Sequence, residues 1–182
     1  MAADCRQLGN RARDEAASYR ETYDAPISGP EFSDRLGLYL HAYTSYSSVR
    51  PFGSCALLAV QDRDGPHLYM LEPSGVYWGY RACAAGKGRS LAKTELEKLI
   101  PESAANAATP YEPTLTVEEA VMHVVRILYM CHEESKESRD WEPEVSWIGP
   151  HTNFEHRLIP EELLSKAEQS AKATLMSSME YE

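Results

Sequence analysis

The segment Gly86-Lys87-Gly88-Arg89-Ser90 sets glycines, two cations and a hydroxyl ahead of a helix-forming run. In that setting backbone N–H groups and a helix N-terminus can hold phosphate. A nucleotide-binding loop of the G-x-x-x-x-G-K-[ST] kind demands more. Arg81 stands where its first glycine belongs, and Gly88 where a Ser or Thr would reach magnesium, so the spacing predicts a tight strand-to-helix turn. The six histidines, His41, His67, His123, His132, His151 and His156, form neither HxxxH nor HExxH. The adjacent pair Cys131-His132 points to different sides of its helix, so neither a metal nor another cofactor is expected.

Nucleophiles fare no better. Cys55 and Cys83 lie in apolar β-prone runs, where burial raises a thiol's pKa and makes it inert, and no G-x-S-x-G elbow is present. The four cysteines, Cys5, Cys55, Cys83 and Cys131, show no CxxC spacing and read as reduced core thiols. The acidic group Glu133, Glu134, Glu137, Asp140 and Glu142 is interrupted by Lys136 and Arg139 and reads as a solvated connection. Tyr39, Tyr43 and Tyr46 recur as one packed helix face. Residue chemistry alone therefore yields no active site and favours an interaction or scaffold role.

Composition agrees. The chain has 182 residues, 43% of them hydrophobic, with 18 Lys+Arg against 28 Asp+Glu for a net charge of −10. One domain of this size could bury about 70% of its unfolded-chain surface. No Lys/Arg block offers a nucleic-acid footprint or a membrane anchor. The apolar runs fall short of the ~20 residues a bilayer span needs, and the N-terminus carries no signal-peptide apolar region, so the chain reads as intracellular.

Leu8, Ala12, Ala16 and Tyr19 recur at helical spacing and predict a helix over 3–19. Ser28 with Glu31 has capping-box spacing before a second helix over 30–47. Three β-rich runs over 52–61, 67–72 and 76–84, separated by turn signals, predict an antiparallel meander. A third helix spans 90–99. Thr116 with Glu119 repeats the capping box before a fourth, whose stripe of Val117, Val121, Val124, Val125, Leu128 and Cys131 makes it the most buried on paper. A short strand at 145–148 precedes a last helix beginning at Pro160. The order α-α-β-β-β-α-α-β-α is an α+β domain over 1–176, followed by a tail over 177–182. Four strands are thin cover for five helices, both sheet edges would lie open, and the first helix starts almost at Met1. The architecture reads as lacking its front.

The run Leu38-Tyr-Leu-His-Ala-Tyr-Thr-Ser-Tyr-Ser-Ser-Val-Arg-Pro-Phe-Gly53 resembles the proteasome alpha-ring subunits. Leu68-Tyr-Met-Leu-Glu-Pro-Ser-Gly75 and Gly86-Lys-Gly-Arg-Ser-Leu-Ala-Lys-Thr-Glu-Leu-Glu-Lys98 resemble them in the same order, and Val145-Ser-Trp-Ile-Gly149 is most similar to the type 3 branch. The resemblance implies a four-layer αββα sandwich of the N-terminal nucleophile hydrolase kind, without its leading strands and gate segment. A start placed at an internal methionine is favoured over a true short isoform, because open sheet faces would otherwise be exposed. It further implies a non-catalytic subunit of the 20S core particle, in the cytoplasm and nucleus. There it would serve barrel assembly, substrate entry and regulator docking in ubiquitin-dependent degradation. Implied partners are the other members of a seven-membered alpha ring, the beta ring and regulatory particles. A catalytic beta-type threonine peptidase and an unrelated binding domain are the alternatives. In the alpha-ring reading, Arg6, Asn10 and Arg13, opposite the apolar stripe of the first helix, are expected to contact a beta subunit. Ser177, with an acidic residue three positions on, is a candidate for phosphorylation.

Overall fold

The computed structural model describes residues 2–100, 115–135 and 141–179. Its chain falls into two compact units: residues 1–83 with 148–154, and residues 84–147 with 155–182. Together they hold helices and small antiparallel sheets, an α+β composition.

The first unit begins with α1 (Ala2–Tyr23), longer than the helix predicted over 3–19. Arg20, Glu21 and Thr22 extend it at little cost, the tilted rings of Tyr19 and Tyr23 lie 4.4 Å apart, and Asp24 ends it with φ of 52°. Leu8 is buried, and Ala12, Ala16 and Tyr19 pack beside it against α2 (Gly29–Ser45). The capping box expected from Ser28 and Glu31 does not form. Ser28 makes no side-chain cap bond; the Gly29 N–H donates instead to Asp62 Oδ2 at 2.9 Å, and Glu31 accepts from Arg35 Nε at 2.7 Å. A carboxylate 33 residues away has taken the local cap's place, which no local spacing can announce.

The meander is β1 (Ala56–Asp62), β2 (Gly65–Leu71) and β3 (Tyr77–Gly79), antiparallel in that order. β3 is three residues rather than the nine predicted, because the apolar run Ala82-Cys83-Ala84 is half-buried without entering the ladder. One sheet face places Leu58, Val60, Tyr69, Leu71 and Tyr77 on the core formed with Phe32, Leu36 and Leu40. On the other, Leu57, Met70 and Trp78 stand in register across all three strands, with Leu57 48% and Trp78 66% exposed.

The second unit contains α3 (Arg89–Leu99), α4 (Val117–Ser135), β4 (Ser146–Trp147), β5 (Arg157–Leu158) and α5 (Glu161–Met179). The capping box at Thr116 forms as expected: its N–H donates to Glu119 Oε2 at 2.8 Å, and the Glu119 N–H to Thr116 Oγ1 at 3.3 Å. α4 is not the most buried helix. It buries three residues, Val121, Val125 and Ile127, where α2 buries six; α5 and α3 cover only part of its wide stripe, and Val124 remains exposed. β5 was not anticipated, since Arg157 and Leu158 are both exposed and carry no period-two signal. α5 buries Ala167 and Ala171 beside Leu163 and Leu164 and continues past residue 176, where a tail was expected. No helix among the described residues is long and apolar enough to cross a membrane.

Candidate functional site

The first turn of α1 is held by its own buried acid. Asp4 accepts from Arg50 twice, Nη1 to Oδ2 at 2.8 Å and Nη2 to Oδ1 at 2.9 Å, and from the Gly53 N–H at 2.9 Å. Paired guanidinium donors and a backbone N–H stabilise the charged carboxylate. The Arg50 bonds and the Gly53 N–H hold its carboxyl well below the usual carboxylate range, and Asp4 in turn raises the Arg50 pKa. Phe52, between those donors, is buried against the rings of Tyr43 and Tyr39 at 4.8 and 5.8 Å. Each residue of the Arg50-Pro51-Phe52-Gly53 run thus has a task at the α1–α2 junction, with Pro51 O accepting a further bond from Arg50 at 3.0 Å.

That junction fixes the direction in which α1 presents its outer face. Arg6, Asn10 and Arg13 all lie there, exposed, and Arg13 Nη1 donates to Asn10 Oδ1 at 3.1 Å. Beside them Ala3, Arg6, Gln7, Asn10, Arg11, Asp14 and Tyr39 line an open hollow of about 430 Å³. Its floor is ordered: Gln7 Nε2 donates to Tyr39 Oη at 3.4 Å, Tyr39 and Tyr43 share a hydroxyl contact at 3.2 Å, and Arg11 lies over the Tyr39 ring at 5.1 Å. Burial pushes the Tyr39 hydroxyl's pKa up, so it stays protonated and able to donate.

A second junction uses glycines. Gly75, at φ of 87°, would place a Cβ 2.5 Å from Gly37 O and 2.7 Å from His41 Cβ. Only glycine permits this approach of the 72–76 turn to α2, where His41 Nδ1 meets Ser74 O at 3.2 Å.

The other candidate residues separate. Gly86 to Ser90 forms a helix-entry turn, but not directly from a strand: β3 ends at Gly79, seven residues upstream of Gly86. Gly88 is required there because a Cβ would lie 2.8 Å from that of Cys131, whose thiol donates to Gly88 O at 3.5 Å. Burial and Glu134 push the Cys131 thiol up, and burial with Cys55 nearby does the same for Cys83. Both are poor nucleophiles. Cys5 corrects the core-thiol expectation: it is exposed on α1. The histidines scatter. His67 Nε2 meets Asp62 Oδ1 at 3.0 Å, and His132 stacks on Trp141 at 5.0 Å, away from Cys131's contact with Gly88. Among the described residues no three His, Cys, Asp or Glu side chains gather as a metal site. Of the acidic group, Glu137 and Asp140 lie outside the described residues, and Glu133, Glu134 and Glu142 are exposed. Ser177 is exposed on α5, its hydroxyl donating to Thr174 O at 2.8 Å.

Sequence reasoning missed Asp4, Asp62 and Glu95. Glu95 is buried on α3 and paired with Lys98 and, at 3.1 Å, with Arg126 of α4. Asp4 had one available signal, an acid ahead of an apolar stripe in a chain containing Arg-Pro-Phe-Gly. The other two meet partners that no periodicity reveals.

The family model described as Proteasome subunit matches residues 1–148. This chain belongs to the proteasome subunit family. Among its curated relatives is "Probable proteasome subunit alpha type-7" of Schizosaccharomyces pombe, 47% identical over 169 residues, 93% of this chain and 62% of that protein. Its namesake from Saccharomyces cerevisiae is 47% identical over 165 residues, 90% of this chain and 54% of that protein. "Proteasome subunit alpha type-3" of Oryza sativa subsp. japonica is 44% identical over 175 residues, 96% of this chain and 66% of that protein. The chain therefore spans between about half and two thirds of the length of these relatives.

Proposed function

We propose that the chain is a non-catalytic subunit of the alpha ring of a 20S proteasome core particle. In that role it supports barrel assembly, substrate entry and regulator docking in ubiquitin-dependent protein degradation, in cytoplasm and nucleus. The observation that carries the reading is the 47% identity to alpha-type relatives across 93% of the chain. The junction that Asp4 makes with Arg50 and Gly53 supports it, because it gives the alpha-like Arg-Pro-Phe-Gly run a structural task. Its partners in this reading are six other alpha-type chains in a seven-membered ring, the beta ring, and regulatory particles.

The same reading gives residues 1–176 one sandwich domain of four αββα layers. The bare apolar face of Leu57, Met70 and Trp78 supports a second sheet lying on the first, since soluble proteins seldom leave such a patch open. Arg6, Asn10 and Arg13 are the contact to a beta subunit. Ser177, exposed near the end of α5, is a phosphate acceptor for an acid-directed kinase; phosphopeptide mapping should find it occupied, and a fully unmodified peptide pool would remove it.

Isolation of the tagged chain tests the main reading. Recovery in a large barrel, with no labelling of the chain itself by an epoxyketone probe, is expected; labelling would favour a beta-type peptidase, and recovery alone a separate binding domain.

A further inference from the structure

We propose that Asp64-Gly65, at the tip of the β1–β2 hairpin, is a site of spontaneous covalent modification, where the main chain is rerouted through the aspartate side chain as isoaspartate. The inference does not depend on the alpha-ring reading. The backbone nitrogen of the residue after an aspartate can attack its carboxyl, and a side chain on that residue stands in the way. Asp64 alone among the aspartates precedes a glycine; Asp4, Asp14, Asp24, Asp34, Asp62 and Asp140 precede Cys, Glu, Ala, Arg, Arg and Trp. Asp64 is exposed, and no hydrogen bond or ion pair engages its carboxylate among the described residues. Asp4 and Asp62, by contrast, are each held by several donors. Gly65 stands at φ of 120°, which L side chains rarely adopt, and a Cβ there would meet nothing within 4 Å. The turn thus requires glycine for its backbone, and that requirement leaves the amide beside Asp64 uncrowded.

The Gly65 nitrogen bonds to Asp64 Cγ, its proton and the carboxyl hydroxyl leave together as water, and a succinimide ring closes. Water then adds at the Asp64 main-chain carbonyl carbon and breaks that carbon's bond to the Gly65 nitrogen. Gly65 is left joined through Cγ, the former main-chain carbonyl becomes a free carboxylate, and the mass is unchanged. The consequence reaches α2. The Asp64 N–H donates to Asp62 Oδ1 at 2.9 Å, Asp62 faces Gly65 in the ladder, and Asp62 Oδ2 caps α2 through the Gly29 N–H at 2.9 Å. Isoaspartate adds one carbon to the path from the Asp64 nitrogen to Gly65 and sets a new carboxylate beside that of Asp62. A two-residue hairpin turn tolerates no such insertion, since its length fixes the register, and Asp62 loses its hold on Gly29.

Ageing of the chain, folded and in the form in which it is isolated, at neutral pH tests this. When the aged chain is then unfolded, isoaspartyl methyltransferase with labelled S-adenosylmethionine should methylate position 64 in excess of every other aspartate. Electron-transfer fragmentation should locate the extra backbone carbon at the same position. The melting temperature of the aged chain should fall toward that of Asp62→Ala. Asp64→Ser removes the carboxyl and keeps a turn-forming residue, and it should age with neither change. Isoaspartate no more abundant at position 64 than at the other aspartates overturns the inference. Isoaspartate there with an unaltered melting temperature overturns its extension to α2, as does an equal fall in aged Asp64→Ser. None of these results bears on the alpha-ring reading, which the isolation of the tagged chain tests separately.

Discussion

Asp4 is the residue on which the presentation of α1 depends, and its behaviour follows from three donors. Its folded pKa lies below the ordinary carboxylate value, so the stabilisation it supplies is complete above the unfolded pKa of about 3.9 and fades as pH falls toward the folded one. Asp4→Asn should therefore lower the melting temperature by several degrees at neutral pH, and the gap to wild type should narrow steadily below about pH 4. Equal melting temperatures at neutral pH would show that Arg50 and Gly53 contribute nothing through it. The charge on Asp4 was visible in the sequence, but its partner 46 residues on was not. By contrast Leu8, Ala12, Ala16 and Tyr19 were legible because helical period and burial coincide. Cys5 was misread because thiols are usually buried, whereas its place on α1 is exposed.

At the scale of elements, the two predicted capping boxes had the same spacing and different fates. Thr116 and Glu119 open α4 by bonding each other, with no competing group among the described residues, so local chemistry decides. At α2 the hairpin brings Asp62 to Gly29, and Asp62 is further bound by the Asp64 N–H and His67. Burial opposes its charge, but these bonds prevail and hold its pKa below the ordinary value. Asp62→Ala should thus cost about 0.5–2 kcal/mol, the range for loss of a helix cap. Ser28→Ala should stay within about 0.5 kcal/mol, as surface changes do. Chemical denaturation of the two variants checks this, and a larger loss from Ser28→Ala would contradict the assignment. Strand lengths were less legible than helices for a related reason: apolar alternation reports burial, while ladder pairing depends on which neighbour is present. β3 is short and β5 unannounced on those grounds.

For the whole molecule, family membership rests on residues 1–148, and the α+β composition was readable from the order of the elements. The site was legible only in part. Arg6, Asn10 and Arg13 do share one exposed face, but the hollow beside them involves Tyr39 from α2, which only the fold brings there. The measurement that bears most directly on the central proposal is native mass spectrometry of the particle isolated on the tagged chain, with and without the epoxyketone probe. The predicted result is a barrel of two alpha and two beta rings holding this chain once in each alpha ring and unlabelled. A chain recovered alone, or one that carries the probe's mass, would contradict it.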